Sequence, residues 1–282
     1  MREPSYLALH RSGALQERIA RAWELLRNCE LCPRSCRVDR LAGQYGFCRT
    51  GARARVASFH AHFGEEAPLV GAGGSGTIFF SSCNLLCSFC QNYEISHLAE
   101  GEEVEPKELA AMMHLMQRGC HNINFVTPTH VVPQILQALT LAIEAGLRLL
   151  DGILDIYMPD FKFWDDKWSQ RFCGAHDYRH RAMAAIGEMH RQVGDLAVDE
   201  AGVAFRGLLV RHLVMPHGVA DTEEIMAFIA EEISIDTYIN VMAQYHPCGK
   251  AREEAIIGRR ITREEYLQAL QGATKAGLRR LD

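Results

Sequence analysis

The sequence predicts an α/β fold whose core is a parallel sheet. Five short apolar runs have the composition of buried strands: 77–82, 121–126, 153–158, 207–214 and 236–242. Segments with helical periodicity separate these runs, and that alternation is typical of right-handed βαβ units. Two stretches, 67–93 and 119–143, contain no Asp, Glu, Lys or Arg. Glycines interrupt the first and prolines the second, so both indicate burial in a core and not membrane spans.

Size and composition limit the function classes. The chain has 282 residues, 48% of them hydrophobic and 23% charged, with a net charge of -5 and a pI near 6.2. We therefore expect no nucleic-acid partner and no membrane partner. The N-terminal residues carry charges and lack the apolar run of a signal peptide, which predicts a cytoplasmic protein. Two parts are expected: an N-terminal helix with a Cys-rich knuckle at 1–66, and a βα domain at 67–282.

The remaining helices, strands and turns are predicted from the spacing of apolar residues and from the positions of glycines and capping residues. Residues 14–28 have an amphipathic helical pattern and residues 53–70 favour short strands. The glycine-rich segment 71–76 precedes a strand and does not link a strand to a helix, so it predicts a turn and no phosphate site. Three further helices are predicted: 106–118, 131–146 and 165–192. Capping-box patterns at Asp221–Glu224 and Thr262–Glu265 predict the starts of two more helices.

Four of the ten cysteines form an N-terminal group. Their spacing is C-x2-C-x3-C-x11-C, and they are Cys29, Cys32, Cys36 and Cys48. Clustered thiols in a reducing compartment bind metal more often than they form disulfides. This spacing in a short segment with Gly and Pro has the character of a structural zinc site. An auxiliary iron–sulfur cluster is one alternative, and reduced cysteines in a compact knuckle without metal are another.

Three more thiols follow the first core strand with C-x3-C-x2-C spacing. They are Cys83, Cys87 and Cys90, and the aromatic Phe89 precedes the last of them. A strand that delivers a thiol-rich loop to one end of a sheet is well placed for a reactive metal centre. The spacing therefore predicts that three thiolates hold an iron–sulfur cluster with one iron left open.

Polar side chains also follow the later core strands. They are Thr127, Thr129 and His130, then Asp160 and Lys162, then His217, and finally Gln244 and His246. Because the carboxyl ends of parallel strands meet at one edge of a sheet, these side chains are expected to lie on a common rim. Taken singly, each histidine would be a local hydrogen-bonding group, and Asp160 with Lys162 an ion pair at a strand end.

The thiol spacing around Phe89 resembles that of the radical S-adenosylmethionine superfamily. Other segments are similar to the pyruvate formate-lyase activating enzyme-like branch: the N-terminal knuckle, 124–130, 157–162 and 211–216. The resemblance covers residues 25–280 and implies a partial (β/α)6-type TIM barrel. It also implies an oxidoreductase whose [4Fe–4S] cluster reductively cleaves S-adenosyl-L-methionine to give a 5′-deoxyadenosyl radical. Within this branch, the radical activates a glycyl-radical protein substrate, and flavodoxin or ferredoxin is the electron donor.

The resemblance implies particular cofactor contacts. Cys83, Cys87 and Cys90 would ligate the cluster. Thr127-Pro128-Thr129 would take the place of the glycine-rich segment that meets the methionyl amine. Asp160 and Lys162 match an Asp-x-Lys pattern that contacts S-adenosylmethionine. Four other side chains would complete the site: Phe89 and Asn92 near the adenine, with His212 and Gln244.

The sequence departs from this family pattern near residues 147–151. Helix 131–146 runs almost directly into strand 153–158, which leaves too little chain for another strand, turn and helix start. The partial barrel is therefore expected to lack its third strand. A degenerate, non-catalytic family member is therefore one alternative function. A metal-stabilised binding protein, in which both cysteine groups hold zinc, is another. Of the lone thiols, Cys120 and Cys173 are expected to be buried apolar filler.

Overall fold

The computed structural model describes residues 5–117, 119–144 and 155–282. The chain divides into two compact units, the first formed by Met1–Leu86 with Glu94–Ile153 and the second by Cys87–Tyr93 with Leu154–Asp282. Both units combine helices with a sheet, so the α/β class is confirmed. The boundary predicted after residue 66 falls inside the first unit, and that division of the chain stays a prediction.

The first unit contains a four-stranded sheet in the order β3-β1-β2-β4. Its strands are β1 (Ala54–His62), β2 (Ser75–Phe80), β3 (Glu102–Val104) and β4 (Asn122–Val126). Its helices are α1 (Ser5–Arg11), α2 (Ala14–Glu24), α3 (Ala67–Val70), α4 (Tyr93–His97), α5 (Pro106–Gln117) and α6 (Val132–Glu144). β1 runs antiparallel to β2 and β3, whereas β2 and β4 are parallel.

The core of the first unit forms where α5 and α6 cover the sheet. Ile78 and Phe80 of β2 and Leu109 and Met113 of α5 are fully buried, because the period of each element places them on its inner face. Met112 and Met116 are the partly buried neighbours of this cluster. The predicted helix at 106–118, with methionines as core filler, is therefore confirmed over the residues described.

The second unit contains the parallel sheet order β5-β7-β8-β9, with β6 antiparallel on β7. Its strands are β5 (Ile156–Tyr157), β6 (Ala197–Val198), β7 (Ala204–Leu213), β8 (Tyr238–Met242) and β9 (Arg280–Leu281). Its helices are α7 (Asp166–Cys173), α8 (Tyr178–Val193), α9 (Thr222–Phe228) and α10 (Arg263–Lys275). All five predicted strands are thus present, although β5 is short.

Several element boundaries differ from the prediction. The helix predicted at 14–28 ends at Glu24, and the region 53–70 holds one long strand and the short helix α3. The turn at 71–76 is confirmed up to the start of β2. Thr262 and Glu265 form the predicted capping box of α10.

The other predicted helix start is confirmed, because α9 begins at Thr222 with Asp221 at its N-cap position, but its capping box does not form. Asp221 adopts a left-handed conformation and makes no cap bond to α9. Its carboxylate accepts a hydrogen bond from the backbone nitrogen of Asp165 at 3.0 Å, a tertiary contact that competes with the local cap.

The segment 145–154 lies outside the described residues. The apparent deletion near 147–151, the end of helix 131–146 and the start of strand 153–158 all fall there. The partial barrel without its third strand therefore stays a prediction. Among the helices of the described part of the chain, none has the length and apolar character needed to cross a membrane.

Candidate functional site

A half-buried cluster of charges lies where β5 ends in the second unit. Asp160 accepts hydrogen bonds from Lys162 Nζ at 2.7 Å and from Arg211 Nε at 2.9 Å. The backbone sets this arrangement, because Asp160 pairs with Arg211 of β7 in parallel register. Asp160 and Lys162, two residues apart on extended chain, share one face. We call these three residues the Asp160 cluster.

The opposite charges of the Asp160 cluster stabilise one another. Burial alone would raise the pKa of Asp160, but Lys162 and Arg211 hold that pKa well below its usual range. Burial would lower the pKa of Lys162, whereas the Asp160 carboxylate holds it above its usual value. The Tyr178 hydroxyl donates to the Asp160 carbonyl at 3.2 Å and accepts from the Lys162 backbone nitrogen at 2.9 Å. All three charges are therefore retained at neutral pH, with a formal sum of +1.

Cys87 lies beside this cluster in the second unit. Cys87 is 7% exposed, and its thiol shares a hydrogen bond with Cys173, which together with burial raises the pKa of Cys87. Lys162 and Asp160 are close enough to affect its charge. The structure thus places three of the predicted site residues close together: Cys87, Asp160 and Lys162. Cys173 is buried as predicted, but it contacts a proposed cluster ligand and is not apolar filler.

The other predicted site residues of the second unit have different environments. Phe89 is 4% exposed and packs edge-on against Phe163, with Tyr245 on another side. Asn92 and Gln244 are exposed. The Gln244 side chain donates to Met242 Sδ at 3.1 Å. Phe89 therefore holds the cysteine segment against an aromatic core. The cofactor contacts predicted for Phe89, Asn92 and Gln244 stay predictions.

His212 is fully buried in the second unit and uses both ring nitrogens. Nδ1 donates to the Phe161 carbonyl at 2.8 Å, and Nε2 accepts from the Thr222 hydroxyl at 2.8 Å. Because a carbonyl only accepts, the proton is assigned to Nδ1. Burial lowers the pKa of His212 to about 4. These contacts are those of a neutral residue that positions its neighbours.

Cys83 lies in a tight turn of the first unit, residues 82–86, here called the Cys83 turn. The backbone nitrogen of Leu85 donates to Cys83 Sγ at 3.3 Å. Ser82 and Leu86 have φ values of 69° and 52°, a left-handed conformation that is unfavourable for side chains larger than Gly. Such strain persists only where the surroundings impose it, and it is frequent at functional sites.

A second strained turn follows β4 in the first unit. Thr127 has φ 57° and ψ 49° and precedes the 3-10 turn Pro128–Val131, the whole being called the Thr127 turn. A β-branched residue is rarely left-handed, so this conformation is compatible with the predicted replacement of a glycine-rich segment. Thr129 is exposed. His130 is buried and its Nε2 donates to the Ser81 carbonyl at 3.0 Å, and burial lowers its pKa to about 4.

The N-terminal knuckle encloses a small cavity in the first unit. Its volume is about 10 Å³, and it is lined by all four knuckle cysteines, Cys29, Cys32, Cys36 and Cys48. The backbone nitrogen of Phe47 donates to Cys36 Sγ at 3.3 Å. A Cβ at Gly46 would lie 2.9 Å from the same sulfur, so the close approach requires glycine. Burial raises the pKa of Cys32.

Arg40, which also lines the cavity, is only 1% exposed. Its Nε and Nη2 donate to the Gly51 carbonyl at 3.1 and 2.8 Å, and its Nη1 donates to the His130 carbonyl at 3.0 Å. The same Nη1 lies 3.9 Å from Cys29 Sγ. In the part of the chain that the structure describes, no carboxylate pairs with Arg40.

The thiols are not placed as finished metal sites. Within residues 5–117, 119–144 and 155–282, no three His, Cys, Asp or Glu side chains stand close enough together to hold a metal ion. The donor chemistry nevertheless fits both proposed groups, since thiolates ligate zinc and iron–sulfur clusters alike. Ligation would require the thiol side chains to turn toward one another.

Sequence reasoning missed the roles of five residues at these sites: Arg34, Arg40, Tyr178, Cys173 and Arg211. A charged residue in the apolar run of β7 was the available signal for Arg211. Nothing local indicates that Arg40 is buried, because its contacts lie 11 and 90 residues away along the chain.

The structure defines an α/β protein. No family model matches the sequence. The uncharacterized protein MJ0674 of Methanocaldococcus jannaschii is 34% identical over 282 residues, covering 91% of this chain and 77% of that protein. The chain therefore belongs to the same family as MJ0674. Among solved structures, a radical SAM methyltransferase from Sphaerobacter thermophilus is 13% identical, with a TM-score of 0.48 over 73% of this chain and 65% of that one.

Proposed function

We propose that this protein is a radical S-adenosylmethionine enzyme whose [4Fe–4S] cluster is held by Cys83, Cys87 and Cys90. The observation that carries the proposal is the C-x3-C-x2-C spacing, joined to the burial of Cys87 beside the Asp160 cluster. When bound, the cluster supplies one electron that splits the sulfonium of S-adenosyl-L-methionine into methionine and a 5′-deoxyadenosyl radical.

The residues around Cys87 have definite tasks in this proposal. The Asp160 cluster keeps a formal charge of +1 near the thiol, which favours an anionic ligand in its vicinity. The Asp160 carboxylate offers acceptor oxygens and Lys162 offers N–H donors, a pair suited to the amino and carboxylate groups of an amino-acid moiety. The Phe89, Phe163 and Tyr245 rings exclude water from one side of the cysteine segment.

The Thr127 turn supplies the proposed contact with the methionyl amine through Thr127, Pro128 and Thr129. Its strained backbone at Thr127 supports this assignment, because such strain is retained where a site requires it. Phe89, Asn92, His212 and Gln244 stay proposed neighbours of the cofactor. Their described contacts are compatible with positioning roles.

The first experiment is anaerobic reconstitution with iron and sulfide. The wild-type chain is expected to bind about four irons at the triad. With dithionite it should convert S-adenosylmethionine to 5′-deoxyadenosine, measured by chromatography and mass spectrometry. Cys87→Ala should lose both the cluster and the product, whereas Cys120→Ser, a thiol outside both groups, should retain them. A loaded cluster without 5′-deoxyadenosine would refute the proposed reaction and leave the degenerate, non-catalytic alternative.

Within the same proposal, the hydrogen donor is a glycyl-radical protein substrate, and flavodoxin or ferredoxin delivers the electron. Both follow from the resemblance of the sequence and are tested together. Incubating the loaded enzyme and reduced flavodoxin or ferredoxin with a glycyl-radical enzyme should give a glycine-centred radical signal in electron paramagnetic resonance. Product formation without that signal would retain the radical enzyme and reject the activase role.

A further inference from the structure

We infer that the N-terminal knuckle binds a single divalent cation of the Zn²⁺ class through Cys29, Cys32, Cys36 and Cys48, with Arg40 as a buried counter-charge. The same metal centre holds two turns of the first unit in place. This inference does not rest on the proposed radical chemistry, because no step of that chemistry uses the knuckle.

The first argument is charge. Arg40 is buried with carbonyl oxygens and a thiol as its contacts, and no carboxylate pairs with it in the described residues. A buried cation without a counter-ion costs several kcal/mol, so such groups are paired or coordinate an anion. Four thiols that bind Zn²⁺ release four protons and leave a complex of formal charge -2. That anion would compensate Arg40, which lines the cavity.

The second argument is space. A cavity of about 10 Å³ accommodates one water-sized sphere, which is enough room for one ion. Gly46 permits the close approach of the chain to Cys36, and the Phe47 nitrogen already donates to that sulfur. An N–H directed at a sulfur stabilises its thiolate form, as a metal ligand requires.

The third argument concerns the two turns. Arg34 donates from Nε to the Asn84 carbonyl at 2.9 Å and from Nη2 to the Leu85 carbonyl at 3.3 Å, both in the Cys83 turn. Arg40 donates to the His130 carbonyl in the Thr127 turn. Each arginine therefore connects the cavity with one strained turn. Because a metal–thiolate anion would order both guanidinium groups, its loss is expected to loosen both turns.

The metal itself is tested on the full chain purified anaerobically. Elemental analysis should find one zinc in addition to any triad iron, and Cys87→Ala should keep the zinc. Replacement by Co²⁺ should give the intense visible bands of tetrahedral thiolate coordination. The double variant Cys36→Ser/Cys48→Ser should lose the metal, and Cys120→Ser should keep it. Zinc retained by the double variant, or no metal in the wild type after exposure to Zn²⁺, would overturn the metal site.

Arg40 is tested by competition with a chelator. Arg40→Gln should weaken zinc affinity about tenfold to a hundredfold, as removal of outer-shell partners does. Arg40→Lys should restore part of the affinity because it keeps the charge. The matched control is Arg53→Gln, which removes the same charge from an exposed pair with Glu105 in the same unit. Equal effects of the Arg40 and Arg53 variants would show that Arg40 does not balance the metal.

The bracing of the turns is tested by hydrogen exchange in protein without the triad cluster. Removing zinc should speed amide exchange in residues 82–86 and 127–131 more than in α5. Zinc bound with unchanged exchange in both turns would reject the bracing and leave the metal site standing. Since the triad is empty in this experiment, its outcome is separate from that of the proposed radical reaction.

Discussion

The first unit buries one cation and the second unit half-buries two, and the units balance these charges in opposite ways. In the second unit, Lys162 and Arg211 share the carboxylate of Asp160 at 2.7 and 2.9 Å. In the first unit, Arg40 has carbonyl dipoles and one thiol at 3.9 Å. A buried charge is stable only when an opposite charge compensates it. The Asp160 cluster therefore contains a counter-charge of its own, whereas Arg40 has none among the described residues and would receive one from a bound metal–thiolate complex.

The largest expected effect tests the contribution of the Asp160 cluster to stability. Asp160→Ala leaves Lys162 and Arg211 without their shared acceptor, and the Asp160 side chain is only 25% exposed. We expect the free energy of unfolding to fall by about 3 kcal/mol, measured by urea denaturation. Asp177→Ala, which removes an exposed pair with Arg181, should cost less than about 0.5 kcal/mol. Equal losses would mean that the Asp160 cluster contributes no more than a surface ion pair.

The variant Arg40→Met, studied with and without metal, tests the charge balance of Arg40. In zinc-loaded protein this variant should lower the free energy of unfolding by about 2 kcal/mol, because the metal complex loses its counter-charge. In zinc-free protein it should leave stability unchanged or raise it by about 1 kcal/mol, because an uncompensated buried charge is removed. Denaturation in excess zinc and in excess chelator measures both values. Destabilisation of equal size in both conditions would contradict the contrast between the two units.

A third prediction concerns pH and His212. The folded pKa of about 4 lies below the ordinary value of 6.5, so the unfolded chain binds the proton more readily between these values. Stability contributed by His212 is therefore present above pH 6.5 and is lost as the pH falls. The slope is about 1.4 kcal/mol per pH unit between pH 6 and 5. His212→Gln should be less stable at pH 7 and show a slope smaller by about that amount. An unchanged slope would mean that His212 titrates normally in the fold.

The smallest predicted effect is the loss of a helix cap in the second unit. Thr262 accepts a hydrogen bond from the Glu265 backbone nitrogen at 3.2 Å and completes a capping box. Thr262→Ala should lower the free energy of unfolding by about 1 kcal/mol. Thr262→Ser keeps the cap and should change stability little. The loss of unfolding free energy in Thr262→Ala should be smaller than the loss in Asp160→Ala, and an equal or larger loss would contradict the prediction for Asp160.

The strands and the thiol groups were predictable because their signals are local. The apolar runs of β2, β4, β7 and β8 and the helical period of α5 depend on neighbouring residues. The cysteine spacings are likewise readable directly. The pattern at Asp221 predicted the start of α9 correctly, but not the capping bond, because the carboxylate accepts from the distant Asp165 nitrogen instead.

The environment of the candidate sites was not predictable in the same way. The contact of Cys173 with Cys87 and the burial of Arg40 depend on residues far apart in sequence. Left-handed conformations at Leu86 and Thr127 contradict residue preference, so preference alone cannot find them. Such departures from local rules are where a fold serves something other than its own stability.

The short sequence span of the knuckle has a consequence for biosynthesis. Its four thiols lie between Cys29 and Cys48, so bringing them together closes only short loops and costs little chain entropy. The bond from Arg40 to His130 spans 90 residues and forms only after β4 has left the ribosome. A chain that loads zinc cotranslationally would therefore present an ordered arginine before its partner turn exists, and assembly of the first unit would proceed from its metal outward.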